Sequence, residues 1–403
     1  MDLDLVRELA IPGDTKIVLA VVDGLGGLPH PETDRSELES ANTPQLDRLA
    51  ADSACGLTVP VAHGVTPGSG PGHLALFGYD PLRYTVGRGV LEALGIDFDL
   101  RPSDVAARGN FCTLDTEGRI IDRRAGRIAS EASAALCERL REIELPGAAL
   151  FVEPVKEHRF VVVLRPNGSS ALSDKLADTD PQRIGATPLE PRALAPEAEP
   201  TVDLERRFVG GSRAALNGAS PANGLTLRGF ASVPDFPRFP EVFGLRAAAI
   251  AIYPMYRGLA KLVGMTVLAT GTTYDDEIET LRKHWDDFDF FFIHYKPADA
   301  AGEDGDFERK VDAIEAFDQA VLRLHDLKPD VLMIAGDHST PAVMAGHSWH
   351  PVPFLLHGKN TRKDETDGFS ETACLRGSFG IFPASEVMPL AMAHAGRLTK
   401  YGA

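Results

Sequence analysis

Long apolar stretches are missing from this sequence. The longest runs, such as Ile17 to Val22 and Ala247 to Ile252, fall far short of the roughly 20 residues that a membrane-spanning helix requires, so no membrane partner is expected. Cysteine is sparse: Cys55, Cys112, Cys137 and Cys374 are scattered with no C-x-x-C pair. That spacing argues against a zinc knuckle and a disulfide framework and leaves the four as structural residues. Positive charge is also short, with 41 Lys and Arg against 58 Asp and Glu for a formal net charge of −17. Nonspecific nucleic-acid binding rests on neutralising phosphates with Lys and Arg, so no nucleic-acid partner is expected. A small phosphorylated substrate stays open, because a few arginines or metal ions can reverse the field inside a pocket. The start, Met1-Asp2-Leu3-Asp4, lacks the basic and continuously apolar character of a secretory leader, and the expected location is cytoplasmic.

What the chain does contain is enough apolar material, 44% of 403 residues, for one large core plus a second, smaller one. Ile17 to Val22 is an unbroken apolar run meeting Asp23-Gly24-Leu25-Gly26-Gly27, which reads as a buried parallel strand entering a turn. Phe288 to Tyr295 leads likewise towards Asp299, and Val331 to Ala335 runs through Gly336 into Asp337-His338. Between these two, Val311, Ile314, Phe317, Val321 and Leu324 recur at helical spacing, as a crossover helix packed on a sheet requires. Ligand sites of open α/β sheets lie beyond the carboxyl ends of the strands, so Asp23, Asp299 and Asp337 are expected on one rim.

The middle of the chain differs. Residues 83–245 are richer in turn formers, including Thr179-Asp180-Pro181 and the proline-studded stretch from Pro188 to Pro200. The short runs Phe151-Val152 and Phe160 to Leu164 suggest a small sheet there. The expected organisation is a core from residues 1–82 and 246–403, interrupted by an inserted α+β cap domain, 83–245.

Ser69 stands among glycines in Thr66-Pro67-Gly68-Ser69-Gly70-Pro71-Gly72-His73-Leu74, just before an apolar helical stretch. Small neighbours admit a close substrate, and a helix N-terminus favours an anion there; the bland alternative is a serine N-cap. Pro67 occupies the first glycine position of G-x-S-x-G, so a hydrolase elbow is absent and a metal-activated serine is the better reading. Asp23, Asp299, Glu303, Asp337, His338, His347 and His350 supply oxygen and imidazole donors suited to manganese, magnesium or zinc. Asp299 and Glu303 share a helical face at four-residue spacing and repel each other without a cation; with Asp304 and Asp306 following, a solvated acidic loop is their alternative. Two metal ions could deprotonate the serine and neutralise a transferring phosphoryl group. The Gly24 to Gly27 turn does not meet G-x-G-x-x-G, which argues against a dinucleotide site.

With these residues in place, the chain resembles the alkaline phosphatase superfamily and, within it, the archaeal-type cofactor-independent phosphoglycerate mutases. The resemblance runs nearly end to end. It is carried by Val22-Asp23-Gly24-Leu25-Gly26, Thr66 to Pro81, Leu172 to Pro181, Tyr256 to Met265, Gly336 to Pro341 and His347 to Pro353. It implies an alkaline-phosphatase-like three-layer α/β sandwich with a central, mostly parallel sheet. It also implies interconversion of 3-phosphoglycerate and 2-phosphoglycerate through a phosphoserine at Ser69, without 2,3-bisphosphoglycerate. Asp23, Ser69, Asp337 and His338 would surround one divalent metal; Asp299, residue 303 and His347 would hold the other.

Where the family pattern D-x-x-G-H-D-G often has histidine, this chain has Glu303, a charged ligand favouring manganese or magnesium over zinc. Substrate anchoring is expected from guanidinium groups, which grip carboxylate or phosphate with paired hydrogen bonds; Arg123, Arg124, Arg127 and Arg257 are the candidates. His73, four residues after Ser69, could contact substrate or orient the loop. The alternatives are a metal-dependent phosphatase or phosphodiesterase on the same scaffold, and a noncatalytic metal and phosphate sensor.

Overall fold

Every position of Ile17–Val22 is apolar and every one is buried, as a parallel strand covered on both faces demands. The computed structural model, which describes residues 2–168, 171–364 and 366–402, builds two sheets from thirteen strands. In chain order these are β1 (Ile17–Val22), β2 (Ala54–Val59), β3 (Val105–Leu114), β4 (Ile120–Asp122), β5 (Ala148–Lys156), β6 (Arg159–Pro166), β7 (Gly224–Ser232), β8 (Ala247–Ile250), β9 (Thr266–Val267), β10 (Phe290–Tyr295), β11 (Val331–Ala335), β12 (Val352–Gly358) and β13 (Gly380–Pro383). The chain divides into two compact units, Met1–Thr85 with Phe236–Ala403, and Val86–Asp235. The second crossing lies ten residues before the expected one because Phe239, on a short helix, packs with its ring 4.9 Å from that of Phe290 of β10 and so belongs with the large sheet.

The large unit carries an eight-stranded sheet in the order β13-β2-β12-β11-β1-β10-β8-β9. Its pairings are parallel except that β12 runs antiparallel to both β11 and β2. One face packs Val18, Ala20, Phe291 and Ile334 against Ile314, Phe317, Val321 and Leu324 of the helix Phe307–His325. The other meets the helices Ser69–Leu76 and Phe239–Phe243, through Phe77 on Phe292 and Phe239 on Phe290. Three layers result, helices on both faces of a mostly parallel sheet.

The Val86–Asp235 unit holds five antiparallel strands, β4-β3-β6-β5 with β7 on the other side of β3. Phe111 and Phe160 of this sheet pack with Leu140 and Phe208 from the helices Ser130–Arg141 and Glu199–Ala215. Among the described residues no helix is long and apolar enough to cross a membrane.

Candidate active site

The central position of β1 aligns three turns. Val22 pairs with Tyr295 of β10 and Val21 with Ala335 of β11, so Asp23, the helix Pro297–Glu303 bearing Asp299, and the turn at Asp337-His338 leave the sheet side by side. Glycines let these turns touch. Gly24 has φ +69°, and a Cβ there would lie 2.8 Å from Asp299 Cα and 2.7 Å from Thr340 Oγ1. Gly72 brings the helix Ser69–Leu76 onto the third turn, where a Cβ would stand 2.2 Å from the Asp337 carbonyl oxygen. Ser69 is therefore the first residue of its helix, with Gly68 as N-cap, and it is half-buried.

Around it the acids and imidazoles converge. Ser69 Oγ lies 3.1 Å from His338 Nε2, which is 3.3 Å from Asp23 Oδ1 and 3.1 Å from Asp337 Oδ2. His347 Nε2 stands 3.5 Å from Asp299 Oδ1 and 3.4 Å from Glu303 Oε1, its ring stacked 3.7 Å from His338. Asp23, Asp299, Asp337 and His338 are fully buried, whereas half of the Glu303 side chain is exposed. His350 turns instead to Ser348 Oγ at 3.0 Å. His73 is wholly buried, with Nδ1 2.9 Å from the Ser69 carbonyl and 3.1 Å from Asp337 Oδ2. That burial fits loop orientation, not contact with a ligand.

Four further residues complete the cluster without having been singled out in the sequence. Tyr256 donates its hydroxyl to Asp23 Oδ2, and His294 Nε2 lies 3.1 Å from the same oxygen. Lys296 places its ammonium 3.0 Å from Asp23 Oδ2 and in contact with Asp299 Oδ2. Thr340 donates to Asp299 Oδ1 at 2.7 Å and sits 2.9 Å from His338 Nδ1. The available signal was His294 and Lys296 bracketing the end of an otherwise apolar strand, where a polar residue has no packing reason to be.

The electrostatics follow from burial and crowding. Burial raises the Asp23 carboxyl, but His294, Lys296 and His338 outweigh it and hold it well below the usual range. At Asp299 burial and the neighbouring Asp23 prevail, and the carboxyl is pushed up. Burial opposes protonation of His347, yet Glu303, the Pro67 carbonyl and Asp299 push it up to about 9; burial drives His294 down to about 4. Asp23 Oδ1 and Asp337 Oδ2 are buried without a hydrogen bond, although imidazole nitrogens lie near both. Such orphaned oxygens suit a cation. Two donor sets, Asp23-Asp337-His338 and Asp299-His338-His347, each bring their atoms within 4.8 Å of one another, an oxygen and nitrogen environment that fits a divalent cation.

The arginines fall differently from the sequence expectation. In the Val86–Asp235 unit, Arg123 pairs with Asp180 at 2.8 Å, while Arg124 and Arg127 are exposed. Arg108 and Arg228 stand opposite each other across β3 and β7, and Arg228 Nη1 is 4.0 Å from Asp180. Burial and the charges of Arg159, Arg88 and Arg228, partly offset by Glu92, lower the Arg108 pKa. Arg123 Nε and Arg228 Nε are buried without hydrogen bonds. This concentration of guanidinium groups comes from strand register, which motif reading at Arg123 to Arg127 did not reach. Arg257 is half-buried on the helix Pro254–Leu262, next to Tyr256.

A three-layer sandwich with a serine at a helix start and buried carboxylates and imidazoles beyond the strand ends defines an alkaline-phosphatase-like core. The family profile described as 2,3-bisphosphoglycerate-independent phosphoglycerate mutase matches residues 50–223. A relative from Aquifex aeolicus, named a probable 2,3-bisphosphoglycerate-independent phosphoglycerate mutase, is 48% identical over all of both chains. One from Thermus thermophilus with the same name is 49% identical, again over 100% of each. The solved structure of a cofactor-independent phosphoglycerate mutase from Thermoplasma acidophilum is 31% identical with a TM-score of 0.74, covering 95% of this chain and 100% of that one. A Pyrococcus horikoshii protein superposes with a TM-score of 0.82 at 28% identity, covering 97% and 100%. The chain belongs to the 2,3-bisphosphoglycerate-independent phosphoglycerate mutases.

Proposed function

We propose that this protein interconverts 3-phosphoglycerate and 2-phosphoglycerate through a phosphoserine at Ser69, in glycolysis and gluconeogenesis in the cytoplasm. The observation that carries the reading is Ser69 Oγ, half-buried at a helix start 3.1 Å from His338 Nε2, the same nitrogen that lies 3.3 Å from the orphaned Asp23 Oδ1 and 3.1 Å from the orphaned Asp337 Oδ2. Ser69 Oγ gives up its proton and attacks phosphorus, the bond from phosphorus to the first glycerate oxygen breaks, and that oxygen takes up a proton in exchange. The other glycerate hydroxyl then attacks the phosphoserine and releases Ser69, so no water or co-substrate is consumed.

Asp23, Ser69, Asp337 and His338 would hold one divalent cation, and Asp299, Glu303 and His347 a second; manganese or magnesium is favoured, with zinc as a further option. Such cations neutralise phosphoryl oxygens and lower the pKa of a bound hydroxyl. The chain's own contribution is positional. His73 holds the Ser69 carbonyl against Asp337. Thr340 fixes which His338 nitrogen faces Asp299. Lys296 offers an ammonium beside Asp23 and Asp299 for an approaching phosphoryl group. Arg108, Arg123 and Arg228 are the guanidinium groups proposed for the substrate's anionic ends, with Arg124, Arg127 and Arg257 as further contributors. The Val86–Asp235 unit accordingly acts as the substrate-binding cap.

The deciding experiment follows 3-phosphoglycerate with purified protein and manganese, no bisphosphoglycerate, while free phosphate is monitored. Isomer without phosphate supports the mutase. Phosphate without isomer assigns a phosphatase, and neither product across several metals leaves a sensor of metal and phosphate.

A further inference from the structure

Behind the acidic cluster, on the side away from Ser69's helix, lies a second buried charge group that the reaction does not consume. Lys310, on the helix Phe307–His325, is 0% exposed, as is Glu37. The Lys310 ammonium donates to the Gly26 carbonyl at 2.9 Å and to the Thr340 carbonyl at 2.8 Å, with Glu37 Oε1 at 3.8 Å. Those carbonyls belong to the two turns that carry Asp23 and Asp337-His338. Glu37 Oε1 accepts from the Ala342 N–H at 2.6 Å, and Glu371 Oε1 accepts from the Gly27 N–H at 2.8 Å. Each turn is therefore gripped by both its carbonyl and its amide groups. The third turn is tied in as well: a Cβ on Gly302 would meet the Thr340 carbonyl oxygen at 2.2 Å, and Thr340 Oγ1 bonds Asp299.

We infer that Lys310 is a positioning residue, a clamp that sets the spacing of the Asp23 turn against the Asp337-His338 turn and thereby the affinity of the centre for divalent metal. Burying a lysine at this depth carries a desolvation cost, and an apolar side chain of similar volume would fill the space without it. What methionine could not supply is two hydrogen bonds to carbonyls on separate ligand-bearing turns. Outer groups that orient metal ligands typically change metal affinity by about 10- to 100-fold when removed. The inference rests on the proposed metal centre.

The test compares manganese retention by wild type, Lys310→Met, Lys310→Met/Glu37→Gln and Glu37→Gln, each dialysed as loaded protein against graded chelator buffers, with thermal melting alongside. The double variant removes the buried acid that Lys310→Met would strand. Both Lys310 variants are expected to release manganese at a free-metal concentration at least about tenfold higher than wild type, with KM for phosphoglycerate little changed. Glu37→Gln, which leaves the two carbonyl bonds intact, is expected within about threefold of wild type. Wild-type retention in a folded double variant overturns the clamp, as does equal loss in Glu37→Gln. Failure of both Lys310 variants to fold would make Lys310 a stability element and overturn it too. A wild type that holds no manganese refutes the metal centre itself, which separates that failure from failure of the clamp.

Discussion

Gly72→Ala offers a direct test of whether Ser69 is held in register with the acid cluster. The new Cβ would start 2.2 Å from the Asp337 carbonyl oxygen and 3.0 Å from its carbon, whereas ordinary contact begins near 3.4 Å. Helix and turn must therefore part by the difference, about 1.2 Å. Neither side can yield by a rotamer change, because both are backbone. Ser69 lies one helical turn away on the same rigid segment, so its Oγ moves against His338 by a comparable amount from its present 3.1 Å. A displacement of about 1 Å in a reacting group costs on the order of 100-fold in rate. Overpacking costs about 1–3 kcal/mol, partly offset by the better helix propensity of alanine. The expected result is a kcat lowered about 100-fold in a protein that still melts cooperatively. Gly68→Ala is the control, since its Cβ would find nothing nearer than Pro71 Cδ at 3.9 Å, and it should keep most activity. Equal kcat for wild type and Gly72→Ala would refute the claim that this contact positions the nucleophile.

Ser69→Ala should abolish turnover while leaving the melting curve unchanged; wild-type rates would remove Ser69 as nucleophile. Arg228→Met should raise KM about 10- to 100-fold with a smaller effect on kcat, the scale of one lost charge-assisted pair, and an unchanged KM would exclude this residue from substrate binding. His347, pushed up to about 9, is charged at pH 7 in metal-free protein and must shed its proton to ligate. Manganese affinity should therefore rise from pH 7 towards pH 9 with about one proton released, measured by calorimetry in buffers of different ionisation enthalpy; no release argues against His347 as a ligand. Glu205 is buried with neither oxygen hydrogen-bonded, and burial pushes it up to about 8 from 4.5. Its folded pKa is the higher one, so stability is lost as pH rises from 4.5 towards 8. Glu205→Gln should stabilise the protein at pH 7 by about 2–3 kcal/mol and have little effect near pH 4; no gain at pH 7 would refute an unpaired acid.

The large sheet was legible because its strands are buried on both faces and so read as unbroken apolar runs. The helix Phe307–His325 announced itself through Val311, Ile314, Phe317, Val321 and Leu324, and Asp306 caps it. Strand β12 was less legible: it begins at Val352, inside the run His347 to Pro353, without a glycine-rich turn, and its reversal depends on pairing with β2, nearly 300 positions away in sequence. In the smaller unit, Arg108 faces Arg228 because of the antiparallel register of β3 and β7, and no local pattern specifies such a register. Lys310 was not singled out in the sequence, although it stands four residues before Ile314 on the same helical face. Its carbonyl partners on the Asp23 and Asp337 turns are a tertiary property that helical periodicity alone does not contain.

The acidic stretch after β10 shows how charge alone misleads and burial corrects it. Asp304 and Asp306 satisfy the bland reading: Asp304 is exposed and pairs with Arg309, and Asp306 caps the next helix. Asp299, five residues before Asp304, is fully buried, and so are Asp23 and Asp337. A solvated acidic face has no reason to withdraw three carboxylates from water, where each loses several kcal/mol of hydration. Lys296 reaches Asp23 and Asp299, whereas Asp337 is met by His73, His338 and the Gly24 N–H. In a chain already short of Lys and Arg, that shortfall of positive charge supports the proposed bound cations. The same scarcity that argues against nucleic acid at the surface thus makes a divalent metal centre the consistent reading of the interior.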